Sequence, residues 1–211
     1  MRIPAFRYYL FDVDGTLLDS APDITAAVAE LLARHGRPEA LPEQEIRRRI
    51  GLHLRATFRD VFPDYGEAEM QRLIEDYREI YRARNHGATR VFPGVRETLA
   101  SLAAKKATAT TKATETTAKV LEQFGLRDYF DHVQGSDGLP YKPEPDVLLR
   151  AMEALGARPE ETLMVGDSPV DVEAARRAGV RICAVRYGYG ASQVAGGDPD
   201  YWVEDLRELL G

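Results

Sequence analysis

The chain has 211 residues, 44% hydrophobic and 29% charged, the make-up of a soluble globular protein with room for one core and a small inserted module. A formal charge of −6 disfavours non-specific binding to nucleic acid or to anionic membrane, so neither is expected as a partner. The single cysteine, Cys183, excludes an intramolecular disulfide, and no apolar run long enough to span a membrane occurs, so a cytoplasmic location is expected.

Tyr8-Tyr9-Leu10-Phe11 is a short apolar run ending in Asp12, the pattern of a buried strand. Ile24, Ala27, Val28, Leu31 and Leu32 recur at helical spacing up to a stop at His35-Gly36. Helices are expected again at Glu43–Ile50, Leu54–Val61 and Glu67–Ala83, with no strand pattern between Asp19 and His86. From Pro93 the pattern alternates. A helix to Ala104 precedes a strand at Ala107–Thr111, a helix at Glu115–Phe124 and a strand at Asp131–Gln134. A helix at Asp146–Leu155, a strand at Thr162–Val165, a helix at Val170–Ala178 and a strand at Arg181–Val185 complete it. This order predicts an α/β fold, a Rossmann-like parallel sheet flanked by helices. Residues 1–18 and 88–211 would form that domain, with an all-helical module, 19–87, inserted after the first strand.

In such sheets ligands bind at the carboxyl ends of the strands. Asp12, Thr110, Thr111, Gly166 and Asp167 all lie just past an expected strand. In Asp12-Val13-Asp14-Gly15-Thr16 two carboxylates two residues apart leave a strand for a tight turn. One can attack phosphorus while the other handles a proton, and Gly15 lets backbone amides approach phosphate oxygens. The same string could be an acidic helix cap. In Gly166-Asp167-Ser168-Pro169-Val170-Asp171, Asp167 with Asp12 and a backbone carbonyl suits Mg²⁺, while Asp171 could orient a metal-bound water or pair with a lysine. Asp167 or Ser168 would also cap the helix that follows. Thr110-Thr111 suits phosphate, and Lys142, stiffened by Pro143 and Pro145, supplies a fixed cation.

These four segments together resemble the haloacid dehalogenase-like phosphatase superfamily over nearly the whole chain. The resemblance implies Asp12 as nucleophile and Asp14 as general acid/base. It implies Mg²⁺ on Asp12, Asp167 and the carbonyl of Asp14, and a phosphoryl group gripped by Thr110 and Lys142. Within the superfamily, Leu17–Ile24, Phe92–Val95 and Leu139–Pro145 look like the phosphoglycolate phosphatase group. Thr111 departs from it, standing where Asn is common. Phosphoglycolate is therefore the expected substrate; a pyrophosphatase, another small-molecule phosphatase or a phosphomutase of the same branch is the alternative. A monomer or homodimer is expected. The inserted helices would be a cap that sets specificity, and the glycine break Ile50-Gly51-Leu52-His53-Leu54-Arg55 could present Arg55 or His53 to a substrate carboxylate. Arg47-Arg48-Arg49 reads as a solvated helix face, and the scattered histidines as surface or packing residues.

Overall fold

The computed structural model describes residues 2–194 and 198–211. A five-stranded parallel sheet has the order β4-β1-β5-β6-β7, with β1 at Tyr8–Phe11, β4 at Lys105–Thr108, β5 at Thr162–Gly166, β6 at Arg181–Val185 and β7 at Tyr201–Val203. Successive residues of a strand face opposite sides of a sheet. Tyr9 and Phe11 thus enter one core with Leu163, Val165 and Cys183. Leu10 enters the other with Met164 and Ile182. Because both faces are covered, the strands read as unbroken apolar runs. Helices α5 (Val95–Ser101) and α6 (Thr114–Gln123) cover the first face, and α7 (Asp146–Leu155) and α8 (Pro169–Ala178) cover the second.

Between β1 and β4 lie four helices, α1 (Ala21–Arg34), α2 (Glu43–Arg48), α3 (Leu54–Arg59) and α4 (Glu67–Ala83). Helix α4 buries Met70, Leu73, Ile74, Tyr77, Ile80 and Tyr81, spaced three and four apart, against the matching stripe of α1. The helices share a core of their own, separate from the two sheet cores. The chain enters and leaves this bundle through a two-stranded antiparallel ribbon, β2 (Leu18–Asp19) with β3 (Arg90–Val91). The buried Asp23 carboxylate fastens the exit to the first helix, accepting from the Ala88 amide at 3.0 Å and the Thr89 hydroxyl at 2.8 Å.

Several expectations need correction. Asp131–Gln134 is not a strand: only an Ala107–His132 bridge forms there. The Asp131 and His132 amides reach the Lys106 carbonyl at 2.9 and 3.3 Å and the Thr108 amide reaches the His132 carbonyl at 3.2 Å; beyond that bridge the Thr108 hydroxyl bonds both the amide and the carbonyl of Gln134, at 2.8 and 3.0 Å. The strand expected at Ala107–Thr111 begins at Lys105 and ends at Thr108, which releases Ala109–Thr111 into a loop. The helix after Pro93 runs only from Val95 to Ser101. The ribbon and β7 were not anticipated, because strands of two or three residues carry no readable alternation. The arginine run is not simply solvated. Arg47 lies over the Tyr189 ring at 5.3 Å, and Arg49 pairs with Glu45 and Asp60 at 3.0 and 2.9 Å, leaving Arg48 exposed.

A separate bundle core has a measurable consequence. Leu31→Ala, at a fully buried position, should cost about 2–5 kcal/mol in denaturant unfolding. Hydrogen exchange should show the loss of protection concentrated in α1–α4 rather than in β1 and β5. Equal loss in the central strands would mean that the bundle has no stability of its own.

Candidate active site

Strand register assembles the site. Phe11 is level with Thr108 on one side and Val165 on the other. Beyond these pairs the ladder continues by one bond on each side, Ala109 amide to Phe11 carbonyl at 2.8 Å and Asp12 amide to Val165 carbonyl at 2.9 Å. Asp12, Thr110 and Asp167 therefore leave three adjacent strands at one level. The loop before α7 adds Lys142, whose ammonium is 2.9 Å from Asp12 Oδ1 and 2.6 Å from Asp171 Oδ1.

All four of Asp12, Lys142, Asp167 and Asp171 are buried. Asp171 is fully committed. Its other oxygen accepts from the Ser168 hydroxyl at 2.5 Å and amide at 3.0 Å, and from the Asp167 amide at 3.3 Å. Ser168 and Asp171 thus close a reciprocal cap on α8, which holds Asp171 rigidly under Lys142. Asp167 Oδ2 accepts from the Gly190 amide at 3.0 Å, and its Oδ1 has a weak contact, 3.5 Å, with the Thr16 hydroxyl. Asp12 Oδ2 has no hydrogen-bond partner among the described residues.

Burial and the neighbouring acids leave this cluster short of positive charge. Burial pushes the Asp12 carboxyl up to about 7; Lys142 opposes the rise, while Asp171 and Asp14 add to it. Burial, then Asp171 and Asp12, hold Asp167 well above the usual carboxylate range. Burial works against the Lys142 ammonium, but Asp12 and Asp171 outweigh it and raise its pKa. One ammonium faces three carboxylates, and the imbalance is the charge of a divalent cation. Asp12, Asp167 and Asp171 each place an oxygen within 4.8 Å of the others. With Asp171 consumed by Lys142 and its cap, Asp12 and Asp167 are the pair able to ligate. Hard carboxylate donors fit Mg²⁺.

Asp14 points to a second region. Its Oδ1 accepts from the Ser20 hydroxyl at 2.6 Å, and its Oδ2 lies 3.1 Å from Lys112 Nζ. Lys112 also sits 4.8 Å over the Tyr81 ring of α4, with its ammonium 3.5 Å from the Tyr81 hydroxyl. Burial disfavours the charged Lys112, yet Asp14 more than restores it, so the ammonium persists. Gly15 has φ +91°, and a Cβ there would come within 2.6 Å of Asp167 Oδ2. Thr110 is buried and its hydroxyl accepts from the Lys112 amide at 3.4 Å; the Thr111 carbonyl accepts from Ser136 at 2.7 Å.

A cavity of about 320 Å³ lies between the helical bundle and the sheet loops. Asp14, Thr111 and Lys112 line it from below, and Ile50, Tyr77, Arg49 and Arg78 are among the bundle residues above. His53 lines it too, its ring stacked on Tyr141 at 3.5 Å, with burial and then Arg55 and Arg78 lowering its pKa to about 4, so it is neutral at physiological pH. Arg55 does not line the cavity; it pairs with Glu67. The glycine break thus brings His53, and not Arg55, to the cavity, because α3 begins at Leu54 and carries Arg55 towards α4. Sequence reading also passed over Ser20, Arg49, Arg78 and the segment Tyr187–Gly190. The last was visible as a glycine-rich run after a strand. A Cβ on Gly188 would meet Asp167 Cβ at 2.1 Å, so only glycine lets this loop pass the acid.

Comparison with known proteins places the constellation in a family. The family model of haloacid dehalogenase-like hydrolases matches residues 9–185. The chain belongs to the haloacid dehalogenase-like hydrolase family. A Pseudomonas aeruginosa relative called phosphoglycolate phosphatase 1 is 40% identical over 220 residues, covering 99% of this chain and 79% of the relative. A Chromobacterium violaceum phosphoglycolate phosphatase is 37% identical, covering 99% and 97%. The crystal structure of a predicted phosphatase from Clostridium acetobutylicum superposes with a TM-score of 0.87 at 30% identity, covering 98% and 97%. No helix of the described residues is long and apolar enough to cross a membrane.

The charge imbalance has a signed consequence in metal-free protein. An acid whose pKa is raised by folding binds more protons folded than unfolded, so its contribution to stability falls as pH rises above the unfolded value near ~4. Asp167→Asn removes that cost and keeps an acceptor for the Gly190 amide. In chelator at pH 8 it should raise Tm by about 2–4 °C for each kcal/mol recovered, with the gain vanishing towards pH 4. A lower Tm at pH 8 would contradict this account of the cluster.

Proposed function

We propose that this family member is a divalent-metal-dependent phosphomonoesterase, acting through an aspartyl-phosphate on Asp12 on small esters that include 2-phosphoglycolate. The observation that carries the reading is the state of Asp12: one oxygen is fixed by Lys142 and the other has no partner, in a buried pocket deficient in positive charge. The names of the relatives support the substrate class.

Asp12 Oδ2 attacks phosphorus, and the bond to the ester oxygen breaks. Asp14 gives its proton to the departing alkoxide. It then takes a proton from the water that attacks phosphorus, freeing phosphate and restoring Asp12. Mg²⁺ held by Asp12, Asp167 and the Asp14 carbonyl would offset the negative charge that gathers on the phosphoryl oxygens. Lys142 also offsets that charge, and it favours the ionised form of Asp12 against the effect of burial. The Gly15 turn and the Thr110–Thr111 loop present hydroxyl and amide donors to those oxygens. Ser168 and Asp171 hold Lys142 in place. The helical bundle acts as a cap, excluding water from the crevice while the aspartyl-phosphate forms. His53 belongs to that cap as part of the cavity wall.

Two measurements test this. Asp12→Asn should reduce turnover of p-nitrophenyl phosphate by at least about 10³-fold, as should excess chelator on the unaltered enzyme, restored by Mg²⁺. Substantial steady-state activity in either would sink the mechanism. Asp14→Asn should slow the first half-reaction far more for alkyl esters than for p-nitrophenyl phosphate, whose leaving group needs little acid help. Phosphoenzyme formation in a single turnover reads this, and equal slowing for both esters would remove Asp14 from the acid role.

A further inference from the structure

The cavity offers more room than a two-carbon leaving group needs. Asp12, Thr110 and Lys142 do not line it, whereas Asp14 does. If phosphoryl transfer occurs at Asp12, on the reading above, the cavity holds only what is attached beyond the ester oxygen. Its 320 Å³ matches the share of about ten waters. Glycolate, with two carbons and three oxygens, would fill only a minor part of that.

The walls say what fills the rest. Ile24, Val28, Ile46 and Ile50 make one side apolar, and Tyr77 and Tyr81 add parallel rings at 5.8 Å. Three cations reach the space. Lys112 is neutralised by Asp14, and Arg49 is held by Glu45 and Asp60. Arg78 is exposed, and among the described residues it makes no hydrogen bond or ion pair. The one acid nearby in the lining, Asp137, accepts from the Thr114 amide at 2.7 Å and feels the Arg78 charge without forming an ion pair with it. His53 is neutral. The cavity thus runs from Asp14 at its inner end to a free guanidinium at its solvent side.

We propose that the preferred substrate is a phosphomonoester with a leaving group longer than glycolate, an apolar or ring-bearing body, and an anionic end bound by Arg78. A guanidinium fork matches a carboxylate or a second phosphate, and Arg78 is a specificity residue for either. Leaving Arg78 unpaired costs little in water, so its charge is available when such a substrate arrives.

The test is kcat/KM of the full chain with Mg²⁺ for ω-carboxyalkyl phosphates of two to six carbons. Neutral alkyl phosphates and α,ω-bisphosphates of equal length run alongside, with p-nitrophenyl phosphate as the control for phosphatase activity. A carboxylated or bisphosphorylated ester longer than 2-phosphoglycolate should exceed it at least tenfold, and should exceed the neutral ester of its own length by a similar factor. Which of the two wins separates carboxylate from phosphate recognition. Arg78→Ala should collapse the anionic-to-neutral ratio by about tenfold or more, and Arg78→Lys should restore part of it. The proposal is overturned if 2-phosphoglycolate is the best of the series, or if the ratio survives Arg78→Ala. Turnover of p-nitrophenyl phosphate in those cases leaves the phosphatase reading intact. Its absence with every ester would bring down both.

Discussion

Three carboxylates are buried around one ammonium, and the site is organised by that imbalance. Removing charged groups from water costs several kcal/mol each unless partners compensate, and Lys142 compensates only partly. Neighbouring donors supply part of the rest. The Ser168 hydroxyl and two amides serve Asp171, and the Gly190 amide serves Asp167. What is left over is one unpartnered oxygen on Asp12 and a shortage of positive charge. Those are the properties that the proposed reaction asks of its nucleophile. Structural stability is sacrificed where binding energy is later recovered.

The parallel sheet is what makes such crowding feasible. In a parallel pair both strands end at the same edge, so three neighbouring strands deliver three turns to one place. The ladder bonds from Ala109 and Asp12 extend this alignment one residue past the strands, which fixes the backbone of Asp12 before its side chain does anything. Close approach then requires glycine. Gly15, Gly166 and Gly188 each pass an aspartate where a Cβ would come within 3 Å of it. The backbone supplies rigidity, and the absent side chains supply room.

The sheet and the acid cluster were legible because each was written locally. Apolar runs followed by Asp-x-Asp-Gly or Gly-Asp-Ser-Pro encode a strand and its functional turn within about ten residues. The helical bundle was legible from the spacing in Glu67–Ala83. What could not be read was pairing across long sequence distances. Nothing near Arg55 shows that Glu67 holds it, and nothing near Arg49 shows that Asp60 does. The strand expected at Asp131–Gln134 shrank to one bridge for a similar reason: past His132, a hydroxyl 26 residues away, on Thr108, satisfies the Gln134 backbone. The substrate end of the site is built from such long-range choices, and so the cavity emerged only from the folded chain.

Lys112 joins the two halves of the molecule at the point where a proton must move. It follows the Thr110–Thr111 loop of the sheet domain, touches Asp14, and lies over Tyr81 of the helical bundle. Its ammonium, 3.1 Å from Asp14 Oδ2, fixes a positive charge beside the carboxylate to which the proposed reaction gives the acid and base roles. An anionic substrate in the cavity offers Lys112 a competing partner. Because the same ammonium lies over the Tyr81 ring, the placement of α4 and that of the Asp14 side chain are tied together through one group.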